Sequence, residues 1–224
     1  MIFRNRRAAG QRLAQELLAR LPDLRNEDPL VLAIPRGGVP VGYEIAMALR
    51  APLDVFVARK LGAPGQEELG IGAVAPGGTR VLDTATIRML RVSDEYIDRI
   101  TAREVAELDR RMRAFRGHRP PPRITGRAVV LVDDGLATGV TARPALAALR
   151  LERPLRLVFA APVCSHEASS LLTGDADAVV CVAVPYRFFG VGAWYEDFTQ
   201  TTDEEVVAFL ERAADTDRAA GDRE

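Results

Sequence analysis

Residues 129–143 of the 224-residue chain, VVLVDDGLATGVTAR, constrain the fold more than any other segment. Four consecutive apolar residues open it, and such a run is typical of a strand buried on both faces of a parallel sheet. Two carboxylates, Asp133 and Asp134, follow directly, and small residues then lead into a predicted helix. In open α/β sheets, ligands bind at the carboxyl ends of the strands. The segment therefore predicts an α/β fold whose ligand site contains both aspartates.

The order of apolar run, glycine turn and helix also occurs earlier in the chain. PLVLAIP (29–35) and LDVFVARK (53–60) are predicted strands on either side of a helix at 38–50. Strand, helix and strand in this order form a βαβ unit of a parallel sheet. LRLVFAAPV (155–163) and AVVCVAV (178–184) add two more strands. We therefore expect a central, mostly parallel sheet flanked by helices.

The segments between these strands predict smaller elements. LGAPGQEELG (61–70) is rich in glycine and polar residues, as expected of a mobile loop. PGG (76–78) lies between IGAVA and TRVLD, which predicts an antiparallel hairpin. Apolar residues recur at helical spacing over 93–115, and Ser93 is a typical N-cap. We expect a hairpin and a long helix here.

The two ends of the chain complete the predicted domain. Residues 6–21 place leucines on one face of a helix. Thr202 and Glu205 have the spacing of a capping box at the start of a C-terminal helix. We expect one folded domain over residues 1–213 and a flexible, polar tail at 214–224.

Composition excludes several classes of protein. Lys and Arg number 30 and Asp and Glu 31, so the net charge of −1 predicts no general attraction to nucleic acid or anionic lipid. No apolar run approaches the about 20 residues that a membrane span needs, and the first residues lack a signal peptide's apolar segment. Cys164 and Cys181 lie in apolar runs without a CxxC pair, which indicates buried, reduced thiols rather than a zinc site. We expect a cytoplasmic protein with neither membrane nor nucleic-acid partners.

The loop after the two aspartates has the chemistry of a phosphate site. Its backbone amides can point inward, and the start of the following helix favours negative charge. The loop lacks the Gly-Lys-Ser/Thr sequence of an ATP-binding P-loop. We predict a cup for one phosphate beside the carboxylates. The residues of this cup, the phosphate loop below, are Ala137, Thr138, Gly139, Val140 and Thr141.

Four apolar residues, an acidic pair and a Gly/Thr-rich loop resemble the motif of type I phosphoribosyltransferases that binds 5-phosphoribosyl-1-pyrophosphate (PRPP). The resemblance implies that the phosphate loop holds the 5-phosphate and that Asp133 and Asp134 face the ribose hydroxyls. It also implies a Mg²⁺ cofactor, which the two aspartates hold indirectly through PRPP. The opening FRNRRAAGQRLAQEL is similar to that of a bacterial subfamily of uncharacterised phosphoribosyltransferases.

IPRGGVPVG (34–42) follows the first predicted strand. Its glycines permit close approach of a diphosphate, and its arginine is a planar cation with several donors. The segment resembles the family's pyrophosphate loop, which implies a cis peptide bond between Pro35 and Arg36. In ARKLGAPGQEELGIGAV (58–74), the loop after Arg59 and Lys60 resembles the flexible flap that closes over PRPP. The implied pyrophosphate-binding residues are Arg36, Gly37, Gly38, Arg59 and Lys60. The implied catalytic residues are Asp133, Asp134, Arg36 and Lys60.

The aromatic run PYRFFGVGAWYEDF (185–198) resembles the family's hood over the acceptor, to which the N-terminal segment also contributes. The implied acceptor-binding residues are Phe188, Phe189, Trp194 and Tyr195. Glu196 or Asp197 takes the acidic position of the hood, and Asp197 would assist the metal. The alternative for these aromatics is a core cluster or a homodimer contact. Ala137 stands where hypoxanthine-type enzymes carry an acid, which leaves the general base open.

The resulting prediction is a PRPP-dependent transferase with a small-molecule acceptor, most simply a nucleobase. A PRPP-sensing regulator that binds nucleic acid is the rival hypothesis. Its support is a basic run in and after the long helix, which is otherwise typical of a solvated helix face. That run consists of Arg110, Arg111, Arg113, Arg116, Arg119 and Arg123.

Overall fold

The computed structural model describes residues 2–221, without the side chains of residue 68 and of residues 217–221. Within this part of the chain, five strands form a central sheet. They are β1 Pro29–Ala33, β2 Leu53–Val55, β6 Ala128–Val132, β7 Arg156–Val163 and β8 Ala178–Ala183. Their order in the sheet is β2-β1-β6-β7-β8, and every neighbouring pair is parallel. The predicted α/β class is therefore confirmed.

Helices cover both faces of this sheet. They are α1 Arg6–Arg20, α2 Gly38–Leu49, α4 Asp94–Arg116, α5 Ala142–Leu151, α6 His166–Leu172 and α7 Asp203–Gly221. A further helix, α3 Thr84–Leu90, contacts strand β4 Gln66–Val74, which lies outside this sheet. Alternate strand residues face opposite sides, so that Val130 packs with α1, α2 and α7 while Leu131 packs with α5 and α6. Burial on both faces explains why each central strand is a continuous apolar run.

A second sheet replaces the mobile loop that we expected at 61–70. Within the described residues, β3 (Arg59–Ala63), β4 (Gln66–Val74) and β5 (Arg80–Leu82) pair antiparallel. The expected strand at 53–60 is wrong in its second half, because β2 ends at Val55 and Arg59 begins β3. The hairpin around Pro76–Gly78 is confirmed.

The physical reason for this second sheet lies in helix α4. Leu61 and Ile71 are fully buried against Ile97 and Ile100 of that helix. The hydroxyl of Tyr96 also donates a hydrogen bond of 3.1 Å to the backbone carbonyl of Gly62. Glycine-rich composition predicted a loop because the apolar partner is some 30 residues further along the chain.

The predicted helix caps are present. The hydroxyl of Ser93 accepts a hydrogen bond from the amide of Tyr96. Thr202 and Glu205 bond each other's backbone amides at 2.9 and 3.2 Å, which is a capping box. Helix α7 continues to Gly221, so residues 214–221 of the expected flexible tail are helical, and 222–224 lie outside the described residues.

The prediction of reduced thiols is wrong in this structure. Cys164 and Cys181 form a disulfide with their Cα atoms 6.1 Å apart. Parallel pairing brings them together, because Cys181 lies in β8 opposite Ala161 and Cys164 directly follows β7. In the part of the chain that the structure describes, no helix combines the length and apolarity that crossing a bilayer requires.

The basic run is solvated only in part. Arg116 pairs with Asp54 at 2.9 Å, and both side chains are largely buried. Arg119 donates to the backbone carbonyl of Leu210. These two arginines tie α4 and the segment after it to β2 and α7, so they are structural rather than free for an RNA contact.

Candidate active site

The acid pair lies at the carboxyl end of the central strand β6. The amide of Asp133 donates to the carbonyl of Ala160 in β7, and its carboxylate accepts a hydrogen bond of 2.8 Å from the amide of Asp134. The Asp134 carboxylate accepts from the Nε of Arg6 at 2.8 Å, and these two side chains are only 15% and 11% exposed. The strand thus presents two adjacent, largely buried carboxylates, one of which has a cationic partner.

Burial and mutual repulsion govern how the pair ionises. Burial raises the pKa of Asp133 well above 3.8, and the neighbouring Asp134 charge raises it further. Burial also raises the pKa of Asp134, although its hydrogen bond and ion pair with Arg6 oppose that shift. Asp134 is therefore the acid of the pair whose charged form has a cationic partner in the protein.

Replacing Asp133 with asparagine is expected to change the pH dependence of stability. A carboxyl whose folded pKa is raised contributes stability that is fully present below about pH 3.8 and is lost as pH rises through the folded pKa. Asp133→Asn removes this loss, so the variant should gain stability relative to the wild type between pH 4 and pH 7. Urea unfolding at the two pH values measures the difference, and an equal difference at both would contradict the expectation.

The turn between β1 and α2 lies directly against the acid pair. A Cβ on Gly37 would lie 2.0 Å from an Asp134 carboxylate oxygen, and one on Gly38 would lie 2.6 Å from the Val132 carbonyl. Both positions therefore require glycine for space. The peptide bond between Pro35 and Arg36 is cis, as the resemblance implied. Two segments about 100 residues apart in sequence thus meet at one sheet edge.

Four of the five predicted pyrophosphate residues are divided between two neighbouring cavities, whereas Gly38 is in the described lining of neither. Arg59 and Lys60 line a first cavity of about 410 Å³, which also contains Thr141 of the phosphate loop. Arg36 and Gly37 line a second cavity of about 590 Å³, which also contains Asp134. Pro35, Val57 and Arg111 line both. The cavities are therefore adjacent, with the cis peptide at their boundary.

Salt bridges hold two of the three predicted cations, Arg36 and Arg59, in the lining of these cavities. Arg36 pairs with Asp203 at the start of α7 at 3.3 Å, and both side chains are half-exposed. Arg59 pairs with the buried Glu104 of α4. Arg36 thus keeps its guanidinium accessible, whereas Arg59 is held by a buried carboxylate.

The phosphate loop connects the acid pair to α5. Gly139 adopts a φ of +79°, which side chains rarely tolerate, and its carbonyl accepts the amide of Arg143 in the first turn of α5. The hydroxyl of Ser165 donates to the carbonyl of Ala137 at 2.7 Å and holds the loop from below. The other loop residues, Thr138, Val140 and Thr141, are exposed. This geometry leaves the loop accessible at the start of a helix, where anions are favoured.

The predicted hood segments lie together. The amide of Phe3 donates to the carbonyl of Trp194, and the Phe3 and Tyr195 rings pack with centroids 5.6 Å apart. The Tyr195 hydroxyl donates to the backbone carbonyl of Asp134 at 2.6 Å, and burial raises its pKa further above 10. Tyr195 is thus a buried support of the acid pair.

The other aromatic residues of the hood segment differ in their exposure and in whether they line the second cavity. Phe189 is 86% exposed and Phe188 half-buried. Among the side chains that the structure describes, neither lines the two cavities, nor do Trp194 and Tyr195. Phe198 does line the second cavity, and the guanidinium of Arg6 lies 4.0 Å from its ring centroid.

Arg6 and Phe198 were missing from the predicted site. The sequence showed Arg6 only as one of several arginines before a helix, and Phe198 only as the last aromatic of the run. Asp197, predicted to assist a metal, is exposed. Its carboxylate accepts hydrogen bonds from the hydroxyl and from the backbone amide of Thr199, and these bonds, the hydroxyl's more strongly, lower the pKa of Asp197. It does not line the second cavity within the described residues.

Residues 2–196 match the family model described as "Phosphoribosyl transferase domain". The match includes the acid pair, the glycine turn, the phosphate loop and the hood segment up to Glu196. The chain belongs to this phosphoribosyl transferase family. The assignment agrees with the resemblance to type I enzymes, since the match includes the motif at 129–143.

Sequence relatives and solved structures are consistent with this family assignment. A Mycobacterium tuberculosis protein named "Putative phosphoribosyl transferase Rv0571c" is 45% identical over 212 residues, which are 95% of this chain but 47% of that protein. The chain thus spans about half the length of the curated relatives it matches. The TT1426 protein from Thermus thermophilus, whose crystal structure is known, is 45% identical in sequence to this chain. The two structures superpose with a TM-score of 0.84 over 95% of this chain and 99% of that one. The AQ2163 protein of Aquifex aeolicus, 14% identical with a TM-score of 0.50 over 92% and 85% of the two chains, shares the fold.

Proposed function

We propose that this phosphoribosyl transferase domain binds PRPP and transfers its ribose 5-phosphate to an acceptor, with release of pyrophosphate. The observation that carries the proposal is the contact between the glycine turn and the acid pair, where a Cβ on Gly37 would meet Asp134 at 2.0 Å. A diphosphate in that turn and a ribose at the carboxylates would be adjacent parts of one ligand. The phosphate loop, which follows Asp134 by three residues, would hold the other end.

Each segment has a distinct task in the proposed reaction. The phosphate loop fixes the 5-phosphate, and Asp133 and Asp134 accept hydrogen bonds from the ribose hydroxyls. The bond between the anomeric carbon and the diphosphate oxygen breaks, and pyrophosphate leaves with the electron pair. A nitrogen of the acceptor forms the new bond to that carbon and then loses its proton. Positive charge from Arg36, with Arg59 and Lys60 from the first cavity, stabilises the departing anion.

The acid pair fits a magnesium ion that arrives with PRPP. Mg²⁺ keeps several waters and is usually held by one or two carboxylates together with substrate phosphates. Among the described side chains, no group of three or more His, Cys, Asp or Glu forms a protein-only metal site. Asp133 and Asp134 would hold the ion through the bound PRPP, and Mg²⁺ would supply charge stabilisation to the leaving pyrophosphate.

A nucleobase is the acceptor that we propose. An aromatic side chain beside a polar site provides a stacking surface for a flat base. Phe198 lies beside Asp134 in the second cavity, and Phe188 and Phe189 lie in the hood segment. The side chain of Ala137 cannot take the proton that the acceptor nitrogen loses, because alanine has no titratable group.

Calorimetric titration of PRPP with Mg²⁺ into the purified protein tests the first half of the proposal. We expect saturable binding of one PRPP per chain, and ribose 5-phosphate should bind more weakly because it lacks the diphosphate. Pyrophosphate release in the presence of single purine and pyrimidine bases tests the transfer. Absence of PRPP binding would refute the function, whereas binding without release by any base would refute the nucleobase acceptor alone.

A further inference from the structure

The second cavity has an excess of positive charge that the proposed roles do not use. Within the described residues, its charged lining consists of the arginines Arg6, Arg36, Arg110 and Arg111 and the carboxylates Asp134 and Asp203. Two of the carboxylate–arginine pairs are internal to the cavity, Arg6 with Asp134 and Arg36 with Asp203. The two arginines from α4 share one further carboxylate, Glu107, which does not line the cavity, so they leave a surplus of one positive charge. Such a surplus favours an anionic ligand.

Glu107 holds these two arginines on one face of α4. Its carboxylate accepts hydrogen bonds from the Nε and a terminal nitrogen of Arg110 at 2.8 and 2.9 Å, and from the Nε of Arg111 at 2.9 Å. The hydrogen bonds from Arg110 and then Arg111 lower the pKa of Glu107 to about 2, so it stays ionised at neutral pH. The guanidinium groups are thus oriented before any ligand binds, which reduces the entropy lost on binding.

Arg111 has a position that joins the two cavities. It lines both of them together with Pro35, which forms the cis peptide bond with Arg36, and Val57, two residues after the end of β2. Arg110 and Arg111 are 67% and 49% exposed, so a ligand can reach them. An anionic group extending past the Pro35–Gly37 turn would meet Arg111 from either cavity.

We infer that Arg110 and Arg111 bind the diphosphate of PRPP and the pyrophosphate that the reaction releases. The inference rests on the proposed function and extends its diphosphate site from the glycine turn to helix α4. Guanidinium groups suit this ligand because they donate two parallel hydrogen bonds to phosphate oxygens. Arg36 has its charge offset by Asp203, so Arg110 and Arg111 would add to the positive charge that Arg36 supplies from the second cavity.

The test compares three ligands in three proteins by calorimetry. The ligands are Mg²⁺ with inorganic pyrophosphate, Mg²⁺ with PRPP, and ribose 5-phosphate, which lacks the diphosphate. The proteins are the wild type, the double variant Arg110→Gln/Arg111→Gln, and the control Arg113→Gln. Arg113 is an exposed arginine of the same helix that lines a different cavity, so Arg113→Gln removes one positive charge from the helix without changing the site. Circular dichroism confirms that each variant folds.

We expect the double variant to bind pyrophosphate and PRPP about tenfold more weakly. Tenfold is the lower end of the loss expected when hydrogen bonds between charged groups are removed, because both arginines are exposed to solvent. Its affinity for ribose 5-phosphate should match the wild type, and Arg113→Gln should match the wild type for all three ligands. Equal pyrophosphate affinities in the double variant and in Arg113→Gln would overturn the inference and leave the proposed function standing. An equal loss for ribose 5-phosphate would also overturn it, since the effect would be general electrostatics. A wild type that binds neither PRPP nor pyrophosphate would overturn both.

Discussion

Gly37→Ala is expected to weaken PRPP binding and transfer about a hundredfold, the effect of displacing a reacting group by about an ångström. The added Cβ would lie 2.0 Å from a carboxylate oxygen of Asp134, 2.6 Å from its Cγ and 3.2 Å from the Nε of Arg6. Either the turn must move away from β6 or the carboxylate must leave Arg6. Both movements separate the diphosphate segment from the ribose segment.

Gly174→Ala is the matched control for this substitution. A Cβ on Gly174 would meet no heavy atom within 4 Å, and this glycine does not have a positive φ. We expect it to retain wild-type PRPP affinity by calorimetry and a wild-type rate of pyrophosphate release. If Gly37→Ala binds PRPP as tightly as Gly174→Ala does, the turn is not part of the PRPP site.

Asp134→Asn is expected to lower the free energy of unfolding by about 2–3 kcal/mol, because it leaves the Arg6 charge largely buried without its partner. Asp133→Asn makes the same chemical change one residue earlier and should not destabilise the protein near neutral pH. Asp133 is a buried carboxyl next to a like charge, and its amide substitute removes that repulsion. Both variants should bind PRPP more weakly, since amide oxygens accept hydroxyl hydrogen bonds less strongly than carboxylates do.

A double-mutant cycle with Arg6→Gln separates the ion pair from the ligand site. Arg6→Gln/Asp134→Asn leaves no unpaired charge, so we expect its loss of stability to be smaller than the sum of the single losses. PRPP binding should remain weak in the double variant. Urea unfolding measures the stabilities and calorimetry the binding. Additive losses would show that the 2.8 Å contact contributes no coupling, and restored PRPP binding would contradict the assignment of Asp134 to the ribose.

Arg6 also explains why the account of the acid pair from sequence was incomplete. From residues alone, the two adjacent aspartates were both predicted to face the ribose hydroxyls, and no protein partner was predicted for either. The structure pairs one of them with a cation 128 positions away and supports its backbone with the hydroxyl of Tyr195. The two aspartates are therefore unequal, and substitutions at them should have different consequences for stability.

The hairpin of β3 and β4 was also not predictable from the composition of its own segment. Its composition is that of a loop, and the residues that bury its apolar side belong to α4. Closure of this hairpin over a ligand stays a prediction. The run of arginines had the same ambiguity, because the identical residue type lines a cavity at 111, is buried against Asp54 at 116 and is exposed at 113.

The sequence by itself determined the parallel sheet, the edge at which the candidate site lies, and the two turns at 36–38 and 137–141 that follow strands β1 and β6. These follow from local rules, since a doubly buried strand must be apolar throughout and its polar residues collect where it ends. Only the tertiary structure decided which side chains meet there. The Arg6–Asp134 pair, the Phe198 ring beneath Arg6, the second sheet and the Cys164–Cys181 disulfide each join segments that are distant in sequence or in neighbouring strands. Such contacts depend on the packing of whole elements, which the pattern of any single segment does not contain.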